Sequence, residues 1–186
     1  PFKTRDGGVM RLESLINDIN EEMYKKIAEN RTMSEEEARK TAQMVALSAM
    51  KYGDLSNQAA KDYVFDVERF ISFEGNTGPY NLYTIVRIKS ILAKYAESGK
   101  DAAKCKMKKP QTQSEKALML EVAKFNNVIE TAFEELAPHK ICAYIYDLSN
   151  AFNRFYHETK ILSEENEDRK AGFIALLLIT KRALEA

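Results

Sequence analysis

The chain has 186 residues, of which 45% are hydrophobic, so it is long enough to bury one substantial core or two small ones. Its 28 lysine and arginine residues are balanced by 28 aspartate and glutamate residues, so no general excess of positive charge indicates a nucleic-acid partner, and any RNA site must be a local patch. The longest apolar run, residues 173–180, is too short to cross a bilayer, and the N-terminus does not resemble a signal peptide. We therefore expect a folded cytoplasmic protein without a membrane partner.

The two cysteines, Cys105 and Cys142, have no second cysteine or histidine at metal spacing nearby, so neither a disulfide framework nor a metal site is predicted. Buried or idle thiols are expected instead. The opening stretch, residues 1–8, contains glycines and charges rather than an obvious domain start. We therefore expect a short irregular N-terminal loop, and we expect the chain to be a fragment cut from a longer protein.

Helical periodicity begins at Leu12, and a first amphipathic helix is expected to run to about Asn30. Ser34 followed by Glu37 is a capping-box pattern, which predicts the start of a second helix. That helix is expected to end near Gly53, because a residue without a side chain permits a helix-ending conformation. Its predicted inward positions are Ala38, Ala42, Val45 and Ala49.

Residues 62–73 are predicted to be a connector in which Asp66 caps a short helix. Turn residues at 75–78 precede Pro79, which suits the first position of a long helix that is expected to reach about Ser98. The predicted core face of this helix consists of Leu82, Ile85, Val86, Ile88 or the stem of Lys89, and Leu92.

The rest of the chain is predicted to be a linker, residues 99–113, followed by three helices. The linker holds the one concentrated positive run, Lys100, Lys104, Lys106, Lys108 and Lys109. The first of the three helices is predicted to have a continuous apolar face of Leu118, Val122, Phe125, Ile129, Phe133 and Leu136. Pro138 starts the next helix, and the last is expected at about Glu164 to Ala186. Long amphipathic segments without a convincing strand predict an all-α helical bundle.

The helix after Pro79 offers a first candidate site. Tyr80, Tyr83 and Arg87 are spaced three and four residues apart, which places two phenols and a guanidinium on one side of the helix. Such a stripe can stack on RNA bases, and the amides of a helix N-terminus suit phosphate oxygens. From spacing alone, packing of these tyrosines against a neighbouring helix is the favoured interpretation.

A second polar face is expected on the helix after Pro138, away from the apolar stripe that contains Phe152 and Phe155. It carries Asn150, Asn153, Arg154 and His157, whose amides and imidazole can read base edges. A solvated helix face has the same pattern, and histidines such as His139 and His157 are more often surface or capping residues than catalysts.

No catalytic arrangement stands out along the chain. There is no Ser/His/Asp or Cys/His combination and no complete phosphate-binding glycine pattern, and the acidic residues 35–37 complement a helix dipole. Lys3, Thr4 and Arg5, followed by two glycines, form a short cationic loop that could neutralise a triphosphate.

Several motifs stand in a characteristic order. Residues 51–57 read KYGDLSN, residues 61–66 read KDYVFD, and residues 73–80 read FEGNTGPY. Later, residues 146–149 read YDLS and residues 152–156 read FNRFY. Their order and spacing closely resemble arginyl-tRNA synthetases, which are class I aminoacyl-tRNA synthetases, over nearly the whole chain. The resemblance implies the C-terminal region of that family, with its DALR-type anticodon-binding domain.

By this resemblance, residues 1–10 are a remnant of the class I signature loop, which stabilises ATP during amino-acid activation. The parent enzyme is expected to use ATP with Mg2+, and a role in this loop is carried over to Lys3, Thr4 and Arg5. Residues 11–72 are then a helical connector and stem-contact region. Residues 73–186 are the helical anticodon-binding domain, with a truncated C-terminal tail.

The same resemblance implies that the helical domain binds the anticodon stem-loop of tRNA(Arg). The positions that match residues facing anticodon bases are Tyr80, Tyr83 and Arg87, which reverses the preference drawn from spacing. Asn153 and His157 align with a second anticodon-proximal surface. The chain departs from the family at Ala59 and Ala60, where arginine and threonine are common, so a polar contact there is lost or replaced.

The parent enzyme implied by the resemblance ligates arginine to its tRNA through an aminoacyl-adenylate. The nucleotide-binding fold and the N-terminal tRNA elbow-binding domain are missing from the chain, so the chain alone is expected to be a catalytically incompetent binding module without a bound cofactor. Its expected partners are tRNA(Arg) and those missing domains. Two alternatives stay open, a helical protein-interaction module without RNA binding and a tRNA-independent regulator with the same fold.

Overall fold

The computed structural model describes residues 11–29, 33–64 and 66–186, and every regular element in this part of the chain is a helix. The α-helices are α1 (Leu12–Ala28), α2 (Glu35–Leu55), α3 (Val67–Phe70), α4 (Gly78–Glu97), α5 (Gln113–Ala123), α6 (Phe125–Glu134), α7 (Pro138–Glu158) and α8 (Glu167–Glu185). A single 3-10 turn, Ala102–Lys104, lies between α4 and α5. The prediction of an all-α helical fold is confirmed.

The chain forms two compact units. The first contains the residues up to Asp54 together with Tyr63–Pro79, and the second contains Leu55–Asp62 together with Tyr80–Ala186. Within the described residues, no helix is both long enough and apolar enough to span a membrane.

The first unit is built on α1 and α2. Ile19 and Met23 of α1 are fully buried. The four inward positions predicted for α2 are confirmed, since Ala38, Ala42, Val45 and Ala49 are each at most 8% exposed. The capping box at the start of α2 is also confirmed, because the Ser34 N–H donates to the Glu37 carboxylate at 3.1 Å and the Glu37 N–H donates to Ser34 Oγ at 3.3 Å.

Gly53 has a different role from the predicted one. It lies inside α2 rather than at a helix-ending turn, and a Cβ atom at this position would come within 2.6 Å of the Phe70 ring. Phe70 belongs to α3, the short helix that Asp66 caps by accepting from the Arg69 N–H at 3.1 Å, as predicted. The glycine is therefore required for close packing of an aromatic ring, a cause that helix-stop patterns do not reveal.

A second close approach occurs at the start of α4. A Cβ atom on Gly78 would lie 2.5 Å from the backbone oxygen of Ser48, so the first residue of α4 sits directly against α2. The turn before it contains Gly75 with a φ of 79°, the left-handed conformation that favours glycine. The Tyr52 hydroxyl donates to Asn76 Oδ1 at 2.5 Å and ties this turn to α2.

The second unit has a core drawn from α4, α5, α7 and α8. Its largest fully buried side chains include Ile88, Leu118, Leu148, Phe152, Phe155 and Phe173. One predicted core position of α4 is wrong, because Val86 is 58% exposed. The buried face of α4 instead runs through Ile88, Ile91 and Tyr95, whose spacings of three and four residues follow the helical period and leave Val86 outside.

The predicted single helix from 118 to 136 is also wrong. It is broken at Lys124, whose N–H donates to the Glu121 carbonyl three residues back, so the chain is wound more tightly there and two helices, α5 and α6, replace one. The packed side of α6 runs through Phe125, Val128 and Ala132, so Phe133 is 79% exposed, and Leu136, beyond the end of the helix, is 83% exposed. Leu136 also has a φ of 49°, an uncommon backbone conformation for a residue with a side chain.

The last helix begins later than predicted, at Glu167, because Asn166 caps it by accepting from the Arg169 N–H at 3.0 Å. The linker before α5 runs along this helix. Lys100 pairs with Glu167, and Lys108 Nζ lies 3.3 Å from the Asp168 carboxylate. Part of the positive run is thus neutralised by the first turn of α8.

Candidate nucleic-acid interface

Helices α4 and α7 are joined by a network of polar side chains in the second unit. On α4 the contributing residues are Tyr80, Thr84 and Arg87, each about one helical turn after the one before. On α7 they are Asn150 and Asn153, one turn apart. Spacings of three and four residues place each set on one face of its helix, so the two faces meet along their length.

The Asn153 amide is the centre of this network. Its Nδ2 donates to the Tyr80 hydroxyl at 2.9 Å and to Thr84 Oγ1 at 3.1 Å, and its Oδ1 accepts from Arg87 Nη1 at 2.5 Å. The Tyr80 hydroxyl donates onward to Asn150 Oδ1 at 2.7 Å. Both ends of the Asn153 amide are therefore in use, which fixes its orientation and the rotamers of its partners.

Arg87 is held from three directions. Its Cζ lies 4.8 Å from the ring centroid of Tyr83 and 4.8 Å from that of Tyr156, in addition to the bond with Asn153. A guanidinium has five N–H donors, and stacking on aromatic rings leaves its edge available for a planar acceptor. The arrangement presents an ordered cation flanked by aromatic rings, which suits a base edge or a phosphate.

The flanking rings are accessible. Tyr83 is 51% exposed and Tyr156 is 36% exposed. His157 is also exposed, and its ring packs edge-on against Tyr156 with 5.4 Å between the ring centroids. Exposed aromatic rings beside a fixed guanidinium form the type of platform on which unpaired bases stack.

The structure brings five predicted site residues, Tyr80, Tyr83, Arg87, Asn153 and His157, into one region. The two surfaces expected from the sequence are thus continuous, because Asn153 bonds directly to Tyr80 and Arg87. Tyr80 is half-buried, and its ring packs edge-on against Tyr146 at 5.7 Å between the ring centroids. Its geometry therefore favours a supporting role beneath the exposed Tyr83.

Sequence reasoning missed two contributors, Thr84 and Tyr156. Thr84 links the Asn153 amide to α4 and donates to the Tyr80 carbonyl at 3.1 Å. Tyr156 lies three residues after Asn153, so helical spacing from a known polar residue was the signal that could have found it. Arg154, predicted on the same face, instead forms an ion pair with Glu158 at 3.0 Å.

The predicted loop residues Lys3, Thr4 and Arg5 lie outside the described residues. Among residues 11–29, 33–64 and 66–186, no group of three or more His, Cys, Asp or Glu side chains is placed to hold a metal ion. Both cysteines are free thiols. Cys142 is buried, and burial raises the pKa of its thiol to about 11, whereas Cys105 is half-buried beside the Tyr95 hydroxyl.

Residues 81–186 match the family described as the DALR anticodon binding domain. The chain belongs to this family. The matched range contains the whole α4–α7 network except Tyr80, which precedes it by one residue. Residues 1–67 match a second family, the catalytic domain of class I tRNA synthetases (R).

Relatives of this DALR-domain chain include the arginine–tRNA ligase of Agathobacter rectalis, 62% identical over 100% of this chain and 32% of its own length. The arginine–tRNA ligase of Alkaliphilus oremlandii is 51% identical over 100% of this chain and 31% of its own length. The chain thus spans about a third of the length of the curated relatives it matches.

Two solved structures share the fold. Thermus thermophilus arginyl-tRNA synthetase is similar with a TM-score of 0.81 and 25% identity, over 96% of this chain and 30% of that chain. The arginyl-tRNA synthetase of Plasmodium falciparum is similar with a TM-score of 0.78 and 24% identity, over 95% of this chain and 31% of that chain.

Proposed function

We propose that this chain is the tRNA-binding part of an arginine–tRNA ligase and that its α4–α7 face docks the anticodon stem-loop of tRNA(Arg). The observation that carries the proposal is the fixed guanidinium of Arg87, which lies 4.8 Å from the ring centroids of both Tyr83 and Tyr156. Membership of an anticodon-binding family and relatives named arginine–tRNA ligase support it.

In this proposal, unpaired bases of the loop stack on the exposed rings of Tyr83 and Tyr156. Base–aromatic stacking contributes about 1–3 kcal/mol for each base. The N–H groups of Arg87 that do not bond Asn153 pair with a base edge or a phosphate, and His157 adds a polar contact at the rim. Tyr80 and Asn153 act beneath this surface by holding Arg87 in place.

In this proposal, docking contributes to catalysis only by positioning the tRNA for a reaction that takes place in another domain. Holding the anticodon aligns the distant acceptor end with a catalytic domain, which converts an encounter between two molecules into an ordered complex. The chemistry, with ATP and Mg2+ as in the family, belongs to the longer ligase, and the loop of Lys3, Thr4 and Arg5 would contribute contacts to the triphosphate. The chain alone would bind RNA without ligating arginine, and we expect it to act in the cytoplasm.

The roles proposed for the three parts of the chain follow the boundaries expected from the sequence. Residues 1–10 would belong to the ATP-handling loop, residues 11–72 would contact the tRNA stem, and residues 73–186 would hold the anticodon. The match to a class I catalytic domain family spans residues 1–67, so it covers the first of these ranges and most of the second.

The test is the affinity of this chain for an arginine anticodon stem-loop and for an anticodon-changed control, each at two salt concentrations. Arg87→Met keeps the apolar stem between the two rings and removes the guanidinium, and Tyr83→Ala removes one stacking surface. Arg182→Ala, an exposed arginine on α8, is the matched control. We expect both site variants to lose about 1–3 kcal/mol of binding and the control to bind like the wild type.

Either of two results would contradict the proposal. One is that a folded wild-type chain, checked by circular dichroism, binds neither stem-loop. The other is that Arg87→Met and Tyr83→Ala bind as tightly as Arg182→Ala.

A protein-interaction module is the rival function, and one observation favours it. Ile129, Phe133 and Leu136 are spaced four and three residues apart on α6 and beyond it, and they are 37%, 79% and 83% exposed. An exposed apolar stripe of this kind is typical of a helix-in-groove contact. Binding through it would be insensitive to salt, whereas phosphate contacts release counterions and weaken as salt rises.

A further inference from the structure

Helix α6 and the residues just after it present an apolar patch to the solvent. Ile129 and Phe133 are four residues apart, so they lie on one side of α6, and both are exposed. Leu136 follows the helix, and its N–H donates to the Phe133 carbonyl at 3.3 Å, which keeps it within one turn of Phe133. We refer to Ile129, Phe133 and Leu136 as the α6 patch. Phe133 and Leu136 are so exposed that they contribute little to the stability of the chain by burial.

The backbone at Leu136 gives a second, independent indication of a binding role. Helix α6 ends in a Schellman motif, in which the Ala137 N–H donates to the Ala132 carbonyl at 2.9 Å and the Leu136 N–H donates to the Phe133 carbonyl. Leu136 has a φ of 49° and occupies the left-handed position of this motif, where glycine is favoured because a Cβ atom is strained there. Since its side chain is 83% exposed, little packing offsets this strain. The leucine thus weakens the isolated fold, and a contact outside the chain accounts for its presence.

The charges beside the α6 patch are acidic. Glu130 and Glu134 each directly follow a patch residue along α6, so they form a row one position further round the helix. Both are exposed, and neither forms an ion pair with a residue in the described part of the chain, whereas Glu135 is already paired with Lys140. Charges beside an apolar helix–helix seam select the partner, so these two carboxylates favour a helix whose apolar face is bordered by lysine or arginine.

Charge and size argue against other occupants of the α6 patch. A second copy related by two-fold symmetry would bring the same acidic row of both chains together, and like charges repel. Three side chains also offer less than the about 800 Å² that each partner buries in a standard stable interface, and small contacts are typical of transient partners. The patch lies within the range 81–186 that matches the DALR anticodon binding domain, whereas the match to a catalytic domain ends at residue 67. The patch therefore fits a separate protein that binds transiently.

We propose that the α6 patch docks an amphipathic helix of a separate protein. The apolar side chains of that helix lie against Phe133 and Leu136, and its lysine or arginine side chains lie beside Glu130 and Glu134. Burial of the exposed apolar side chains supplies most of the affinity, and the two carboxylates select the partner. No residue of the Arg87 network belongs to α6, so the chain would bind a protein in addition to RNA, whereas the rival function above excludes RNA binding.

The first arm of the test measures binding of two synthetic helical peptides to this chain by fluorescence anisotropy. Both peptides carry leucines at spacings of three and four residues, bordered by lysines in one peptide and by glutamates in the other. We expect the lysine peptide to bind about tenfold more tightly, and Glu130→Lys combined with Glu134→Lys to reverse this preference. Phe133→Ser should weaken binding of the lysine peptide about tenfold, while the control Met44→Ser, at an exposed methionine of α2, binds it like the wild type.

The second arm separates binding from folding. Leu136→Gly should raise the thermal midpoint by about 2–4 °C, because glycine adopts the left-handed conformation without strain. The same variant should bind the lysine peptide roughly fivefold more weakly, because a contact side chain is lost. A leucine kept only for packing would give a lower midpoint instead. Phe133→Ser and Leu136→Gly should both bind the arginine anticodon stem-loop as tightly as the wild type.

The proposal is overturned if the lysine peptide does not bind, if it binds Phe133→Ser as tightly as the wild type, or if Leu136→Gly lowers the thermal midpoint. It is also overturned if sedimentation shows that the wild-type chain is a dimer which Phe133→Ser converts to a monomer, because the patch then contacts a second copy. A folded wild-type chain that binds the lysine peptide but no stem-loop overturns the proposed function and supports the α6 patch.

Discussion

At the scale of single residues, Asn153 shows how one amide can organise a surface that it does not itself present. It donates to Tyr80 and Thr84 and accepts from Arg87, so it orders three side chains of α4. Because the bond from Arg87 involves a charged donor, it is stronger than one between neutral groups. We regard Asn153 as a positioning residue for the guanidinium.

Asn153→Ala is therefore expected to destabilise the chain by about 1–3 kcal/mol, since it leaves partly buried donors and acceptors without partners. The same change should weaken stem-loop binding, because Arg87 loses its fixed position. Urea unfolding and RNA titration measure the two effects. Asn153→Asp keeps the acceptor for Arg87 and should preserve more RNA binding than Asn153→Ala; equal losses in the two variants would contradict the positioning role.

Gly53 supports a second prediction at this scale. Gly53→Ala would place a Cβ atom 2.6 Å from the Phe70 ring, so the ring or the helix must move. Strain of this kind typically costs about 1–3 kcal/mol, more than the helix propensity gained from alanine. In thermal unfolding, Gly53→Ala combined with Phe70→Leu should lose less than the sum of the single changes. Simple additivity would show that the contact is not the cause.

The two thiols differ in reactivity for a physical reason. Burial raises the pKa of Cys142 to about 11 and also blocks access, whereas Cys105 is half-buried. Since the thiolate is the reactive form, iodoacetamide should modify Cys105 well before Cys142 at pH 8, as followed by peptide mass spectrometry. After denaturation the two rates should converge. Faster modification of Cys142 in the native chain would contradict its placement in the core.

At the scale of helices, sequence periodicity predicts where elements lie better than how their faces are phased. The capping residues Ser34 and Asp66 were predictable because each acts on neighbours within three residues. The break at Lys124 was not, because it depends on a single hydrogen bond to a carbonyl three residues back, and the apolar spacing continues through it. Val86 was misplaced for a related reason, since two adjacent stripes of α4 are apolar and tertiary packing selects one.

The first turn of α8 provides a prediction about acid stability. Hydrogen bonds from Lys100 and Lys170 lower the pKa of Glu167 to about 2, from 4.5 for the free side chain. A carboxyl with a lowered folded pKa stabilises the fold above its unfolded pKa, and this contribution is lost as the pH falls through the folded value. Glu167 and Lys100 are exposed to solvent, so the contribution of their ion pair to stability is small.

Glu167→Gln should therefore lower the thermal midpoint at pH 7, and the difference from the wild type should shrink between about pH 4.5 and pH 2. Glu165→Gln is a suitable control, because this exposed carboxyl near the same helix start forms no ion pair with any described residue. A difference that stays constant down to pH 2 would show that charge is not responsible.

At the scale of the whole molecule, the balanced charge constrains how the chain can hold RNA. With 28 basic and 28 acidic residues there is no general field to attract a polyanion, so the proposed RNA binding would depend on a few cations such as Arg87. We expect the slope of log affinity against log salt to be shallow, between about −1 and −3, as for two or three phosphate contacts. A slope near −8 in the same titration would indicate a broad basic surface instead.

The parts of the candidate site that lie within one helix were predictable from the sequence. Helical spacing placed Tyr80, Tyr83 and Arg87 on one side of α4, and the resemblance to a synthetase family predicted that this side faces anticodon bases. The link from Asn153 to Arg87 joins residues 66 positions apart, so no pattern within one helix could have indicated it.

The pair of tyrosine rings beside Arg87 also has an optical consequence. The chain contains nine tyrosines and no tryptophan, so its ultraviolet emission comes from tyrosine without transfer to an indole. Two of those nine rings, Tyr83 and Tyr156, contact the guanidinium and face the solvent, where a stacked base would quench them. The unlabelled protein thus carries its own fluorescent reporter.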